Sequence, residues 1–257
     1  ENKATLQELA DEYGVLAGKS LLVVAPTSSG KTMIGELAAI QAVTAGKKAA
    51  FLLPYRALVN EKFEEFSERY APAGLRGVRC SGDATDGIGP VLGGRYDLGF
   101  FTYETFLNLA LGSPRLLNQL GLVVLDEGQF ITDPNRGITV ELIFALLLRA
   151  RQRGIEPQLV LLSAVIGNLN SFDRWLDLPL LLSRDRPVPL IAGVLDRRGT
   201  FQFVDADGTS KTEALLPAPP IVQRPDKPSS QAATLQFATH LFHHGDTTTP
   251  YLPTADP

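Results

Sequence analysis

Five short apolar runs recur along the chain: Leu21 to Ala25, Ala49 to Leu53, Leu98 to Phe101, Leu122 to Leu125 and Leu159 to Leu162. Runs of this length without polar alternation predict strands buried on both faces. Between them the apolar positions change to helical spacing, as in Val59, Phe63, Phe66 and Tyr70 after the second run and Val140, Ile143, Phe144 and Leu147 after the fourth. Gly46 and Gly154 stand where glycines end helices. Strand alternating with helix predicts an α/β fold, a parallel sheet with helices on both faces. Such sheets bind ligands at the carboxyl ends of their strands, which makes the polar residues after each run the ones to inspect.

The pattern changes in the last quarter. Asp207-Gly208 predicts a small hairpin outside the main sheet. From Ala214 to Ser230 the prolines Pro217, Pro219, Pro220, Pro225 and Pro228 predict a linker. Gln231 to His244 can form one more amphipathic helix, with Leu235, Ala238, Leu241 and Phe242 on one face. The expected organisation is a domain over 1–190, a hairpin and linker over 191–230, and the start of another domain over 231–257. With 44% hydrophobic residues the chain has ample material for a core up to about residue 190. It begins at Glu1 and ends Thr-Ala-Asp-Pro, which reads as a piece of something longer.

A net charge of -4 provides no global field that recommends a nucleic-acid partner, although a local row of donors is enough for a protein that steps along a strand. One cysteine, Cys80, excludes an internal disulfide and a cysteine-rich metal site, and reads as a small apolar residue. No apolar run is long enough to span a bilayer, so the expectation is a soluble cytoplasmic protein without a membrane partner. Trp175 reads as a core anchor, and His240, His243 and His244 as an exposed helix end, because no further ligand type stands near them.

Chemistry concentrates after the first and fourth runs. Ala25-Pro26-Thr27-Ser28-Ser29-Gly30-Lys31-Thr32 follows a buried strand and opens a helix, the context of a phosphate-binding P-loop. Small residues at Thr27, Ser28, Ser29 and Gly30 let backbone N–H groups and the helix N-terminus face the phosphates of ATP. Lys31 then reaches the β- and γ-phosphates, and the Thr32 hydroxyl holds Mg²⁺. Ala25 replaces the usual first glycine at a position that only leaves the strand. Asp126-Glu127, at the end of a further strand, supplies the two carboxylates that a phosphate hydrolase needs. Asp126 can hold Mg²⁺ through its water shell, and Glu127 can orient and deprotonate the attacking water.

In order, APTSSGKT, LPYRAL, SGD, TYET, DEGQ and SAV resemble the motif series of superfamily 2 helicases, over Gln7 to about Leu195. DEGQFITDPNRGITVE and LLSAVIGNLNSFDRWL are similar to the Ski-type branch of the DExH-box enzymes. The resemblance implies a RecA-like P-loop NTPase domain followed by a truncated second one, and ATP hydrolysis coupled to movement along a single- or double-stranded nucleic acid. It implies that Gln7 reads adenine, although the usual preceding prolines are absent. It also implies that Pro54, Arg56 and Thr102 contact the sugar-phosphate backbone, and that Gln129, Ser163 and Ala164 couple hydrolysis to strand movement, Ser163 by a hydrogen bond near Asp126.

Gln129 stands where histidine is typical and Val165 where threonine is typical. Glutamine cannot become a cation, and valine has no hydroxyl, so the coupling relay is altered while nucleotide binding is not. The family's arginine finger comes from a second RecA-like domain in cis, and no motifs IV to VI are legible here. A finger is worth about 10³ to 10⁵ in rate, so the expectation is weak ATP–Mg binding and very slow turnover. A non-catalytic switch or scaffold that binds ATP and strand is the alternative. DNA and RNA stay open, because backbone contacts do not report the sugar.

Overall fold

The structure is a computed structural model that describes residues 5–82, 84–164, 172–184, 191, 193–195, 200–205 and 207–214. Asp83 of the SGD motif, Val165, most of the proline-rich stretch, the proposed helix over 231–244 and its three histidines lie outside the described residues. Contacts divide the chain into two compact units, Glu1–Val188 and Pro189–Pro257.

The first unit opens with α1 (Leu6–Glu12), β1 (Leu21–Val24), α2 (Lys31–Thr44), β2 (Lys48–Leu53) and α3 (Arg56–Tyr70). It continues through β3 (Gly77–Cys80), α4 (Ile88–Leu92), β4 (Leu98–Thr102), α5 (Tyr103–Gly112), α6 (Arg115–Gln119) and β5 (Leu120–Leu125). A 3₁₀ turn (Gly128–Thr132), α7 (Gly137–Arg151), β6 (Gln158–Ser163), α8 (Phe172–Leu176) and β7 (Leu180–Leu182) complete it. Seven parallel strands run in the order β3-β4-β2-β5-β6-β1-β7. Successive side chains point to opposite faces. Leu22, Val24, Ala50, Leu52, Val123, Leu125 and Leu161 therefore pack with α5, α6 and α7, while Leu21, Val23, Phe51, Leu122, Val124 and Leu162 pack with α1, α2 and α3.

All five expected strands are present, with ends shifted by at most two residues. Two edge strands, β3 and β7, were not expected. Each has a neighbour on one side only; three of the four residues of β3 are only half-buried, so it needs no continuous apolar run, whereas β7 is apolar but only three leucines long. Trp175 departs from its expected place in the core: it is 46% exposed on α8, its ring edge-on to Phe144 at 6.0 Å. Cys80 is fully buried, and burial followed by the nearby Asp86 pushes its thiol up to about 12, which leaves it protonated at neutral pH.

In the second unit β8 (Gly193–Leu195), β9 (Thr200–Val204) and β10 (Ser210–Ala214) form an antiparallel sheet. The connection between β9 and β10 carries the expected Asp207-Gly208, with Gly208 in the left-handed region at φ 81°. Among the described residues no helix is long and apolar enough to cross a membrane.

Gly35 sets how closely α2 approaches the sheet. A Cβ there would lie 2.7 Å from Val124 Cγ1, 3.1 Å from Phe51 Cζ and 3.2 Å from Leu162 Cδ1. Gly35→Val forces α2 off three strands, and we expect a loss of about 1–3 kcal/mol, read as a lower urea midpoint. At the opposite end of the sheet Asp97 pins the start of β4 to the start of β3. It accepts from the Arg76 backbone N–H at 2.9 Å and from the guanidinium at 3.0 and 3.1 Å. These bonds, led by the Arg76 side chain, hold its carboxyl below the usual carboxylate range. A carboxyl lowered on folding contributes stability above its unfolded value and loses it as pH falls through the folded one. Asp97→Asn should therefore cost about 1 kcal/mol at pH 7, and the difference from wild type should shrink toward pH 3 in acid unfolding curves.

Candidate nucleotide and nucleic-acid site

A parallel sheet brings every strand's carboxyl end to one edge. Across it stand the turns after β4, β2, β5, β6 and β1, in that order. The turns after β2, β5 and β1 carry sequence-predicted residues, and Thr102 and Ser163 are the last residues of β4 and β6.

After β1, Thr27 to Gly30 curl into a turn in which Ser28 has φ 63° and Gly30 has φ 82°. Left-handed residues in such a turn aim successive N–H groups inward, a concavity suited to anions. The Ser29 hydroxyl is buried without a partner in this turn. Lys31, first residue of α2, is only 5% exposed, and Thr32 is half-buried. Gln7 reaches the same turn, its Nε2 donating to the Gly30 carbonyl at 3.0 Å. A capping box starts α1: the Thr5 N–H donates to the Glu8 carboxylate at 2.7 Å, and the Glu8 N–H donates to the Thr5 hydroxyl at 3.2 Å. Buried Leu6 and Ala10 anchor the helix.

After β5, Asp126 is 5% exposed and its N–H continues the sheet to the Leu52 carbonyl at 3.0 Å. The Thr32 hydroxyl donates to Asp126 Oδ2 at 3.3 Å across 94 positions of sequence, and the Glu127 N–H donates to Oδ1 at 2.8 Å. Burial first, and the neighbouring Glu127 second, push the Asp126 carboxyl above the usual range, while the Glu127 N–H, Lys31 and Thr32 oppose the shift. Glu127 itself sits at φ 57°, ψ 44°, a left-handed conformation uncommon for a residue with a side chain. The fully buried Tyr103 hydroxyl donates to the Asp126 carbonyl and lies 3.4 Å from the Glu127 carbonyl. Burial also raises the Tyr103 hydroxyl, which keeps it a donor. The position of Tyr103 within TYET does not by itself reveal which backbone its hydroxyl meets.

Gln129 folds back between the acidic turn and β6. Its Nε2 donates to the Glu127 carboxylate, and its Oε1 accepts from the Ser163 hydroxyl and the Ala164 N–H, each at 3.0 Å. Ser163 was expected to bond near Asp126. Its hydroxyl instead meets Gln129, whose side chain is long enough to lie between the two turns, so the link to the acidic pair is indirect.

Thr102 ends β4 and Pro54 directly follows β2, with Leu53 paired to Thr102 in register. Both are buried. Thr102 caps α5, accepting the Thr105 N–H at 3.3 Å, with its hydroxyl 2.8 Å from that of Thr105. Arg56, first residue of α3, is exposed, and its guanidinium lies so close to Gly82 that a Cβ there would be 2.7 Å from Nη2. Arg136 joins these turns. Its guanidinium donates to the Pro54 carbonyl, pairs with Glu104 at 3.6 Å and lies 4.5 Å from the Tyr55 ring centroid. The signal for it was the Arg136-Gly137 pair trailing DEGQ. A Cβ at Gly137 would fall 2.3 Å from the Ile131 carbonyl oxygen.

The residues present fit a magnesium-bound nucleoside triphosphate. The turn supplies left-handed backbone at Ser28 and Gly30, an orphaned hydroxyl and a buried lysine for phosphate, while Thr32 and Asp126 offer the hard oxygen donors that Mg²⁺ takes. No three His, Cys, Asp or Glu side chains gather into a metal cage among the described residues, and Mg²⁺ in such sites draws its other ligands from phosphate and water. These groups form an open row. A cavity of about 210 Å³ lies elsewhere, lined by Ser20, Phe144, Arg151, Gln158 and Asp177.

Tyr103→Phe leaves the buried Asp126 carbonyl without its side-chain donor. A loss of about 1–3 kcal/mol in chemical unfolding is expected, together with weaker Mg-dependent nucleotide binding. Unchanged values for both would show that the hydroxyl does not hold the turn.

A family model for DEAD/DEAH box helicases matches residues 6–172. The chain is 36% identical over 201 residues to an ATP-dependent DNA helicase Hel308 of Methanocella arvoryzae, covering 76% of this chain and 26% of that protein. It is 38% identical over 189 residues to one from Thermococcus kodakarensis (73% and 16%), and 35% identical over 206 residues to one from Caldivirga maquilingensis (80% and 26%). It thus spans about a quarter or less of the length of these relatives. With the P-loop turn and the acidic pair meeting at one sheet edge, and a match over more than half its length, this chain belongs to the DEAD/DEAH box helicases of superfamily 2.

Proposed function

We propose that the chain is the nucleotide-binding RecA-like domain of an ATP-dependent DNA helicase, in the Ski-type branch, working inside the cell with a second RecA-like domain in cis. The observation that carries this reading is the bond from Thr32 to Asp126, with the buried Lys31 beside it. Two motifs far apart in sequence converge there on groups suited to a phosphate and its cation. The names of the relatives favour DNA over RNA, and the motif order from LPYRAL to SAV favours the branch.

In this reading Lys31 and the N–H groups of Thr27 to Gly30 hold the phosphates, Gln7 reads the base, and Thr32 with Asp126 holds Mg²⁺. Bound Mg²⁺ offsets the charge of the phosphate oxygens. Glu127 orients the attacking water and accepts its proton. Gln129 passes the position of Glu127 to Ser163 and Ala164. Arg56 is the exposed donor for a strand phosphate, and Pro54 and Thr102 at the adjoining strand ends complete the proposed contact with the sugar-phosphate backbone. Domain boundaries near 190 and 230 belong to the same proposal. Turnover by this chain alone is slow, because an arginine supplied in cis contributes about 10³ to 10⁵ in rate.

Lys31→Ala should abolish Mg-dependent binding of a fluorescent ATP analogue, whereas Glu127→Gln should retain binding and lose the remaining hydrolysis. Equal binding by wild type and Lys31→Ala would remove the nucleotide site. Strand-stimulated turnover at the rate of a complete helicase would remove the need for a second domain.

A further inference from the structure

Tyr55 stands between Pro54 and Arg56 at the carboxyl end of β2, as the extended residue that precedes α3 (φ -129°, ψ 144°). It is 45% exposed. Scattered exposed apolar side chains are ordinary on a protein surface. Tyr55 is distinguished by how it is held. The Arg136 guanidinium lies over its ring at 4.5 Å, and Phe130 meets it at 5.5 Å with the ring planes 85° apart. Arg136 is itself fixed by the Pro54 carbonyl and by Glu104.

The guanidinium covers one face of the ring, Phe130 meets the ring nearly perpendicularly, and the residue as a whole is nearly half open to solvent. Such a ring has lost most of its rotational freedom before a ligand arrives, so a flat partner can stack on it at small entropic cost. Its neighbour Arg56 is an exposed cation one residue along the chain. An aromatic face beside a phosphate donor is the pairing that single-stranded nucleic acid requires, because every base offers a π-face and every phosphate a charge.

We propose that Tyr55 is a stacking platform for a nucleobase of a single strand bound along the carboxyl edge of the sheet, with Arg136 and Phe130 holding the ring in place. This rests on the reading of the edge as a strand-binding surface. Stacking of this kind tolerates any base, so Tyr55 adds grip without sequence preference.

The test uses the full chain with single-stranded DNA oligonucleotides, one set carrying 2-aminopurine at successive positions. Tyr55→Phe and Tyr55→Trp should keep affinity within about twofold of wild type, and should keep the change in 2-aminopurine emission at one position. Tyr55→Leu should weaken binding about fivefold or more and abolish that emission change. The slope of log affinity against log salt should stay the same in all three, since no charge is altered. Tyr55→Leu binding as wild type does, with the emission change intact, overturns the stacking role. So does an equal loss in the Phe, Trp and Leu variants accompanied by a lower unfolding midpoint, which would mark packing alone. Failure of wild type to bind any single strand at low salt overturns the strand-binding reading itself, and the platform with it.

Discussion

A carboxylate removed from water at the end of β5 is the constraint around which the first unit is arranged. Burying an ionised group without partners is costly, and Asp126 is 5% exposed with a second carboxylate next to it. Its surroundings are therefore donors: the Glu127 N–H, the Thr32 hydroxyl and the charge of Lys31. Thr32 and Lys31 open α2, and α2 can lie close enough only because Gly35 has no side chain to hold it away from Val124 and Phe51. A packing decision in the core thus fixes a polar contact at the edge.

Around that carboxylate the strand-end turns hold one another through side chains. Tyr103 crosses from the turn after β4 to the Asp126 carbonyl. Gln129 ties Glu127 to Ser163 and Ala164, and Arg136 ties Pro54 to Glu104 and Tyr55. Each of these spans two turns and satisfies a carbonyl, carboxylate or amide that the strands leave unpaired. Glu127 can rest in a left-handed conformation because both its carboxylate and the carbonyl before it are engaged.

The two ends of the sheet differ in kind. At the amino ends the contacts are structural, as where Asp97 gathers the Arg76 backbone and guanidinium, and where Gln158 donates to the Val15 and Lys19 carbonyls at 2.7 and 2.8 Å. At the carboxyl ends polar groups face outward in an open row, with a buried hydroxyl on Ser29 that has no partner within the protein.

Much of the architecture was legible along the chain, because strands buried on both faces must be continuously apolar and the helices between them must repeat at 3.6 residues. The Gly30-Lys31-Thr32 turn and the Asp126-Glu127 pair stood out as candidates too, since the chemistry expected of them requires particular residues in one local stretch. Tertiary structure alone decided the rest. It placed β3, which has no continuous apolar run, and the three-residue β7 at the edges of the sheet, left Trp175 at the surface, and put Thr102 to work as a helix cap. It chose Gln129 as the partner of Ser163, and it gave Tyr103 and Arg136 their carbonyls. Those contacts join turns whose separation along the chain is arbitrary, and only the order of strands in the sheet makes them neighbours.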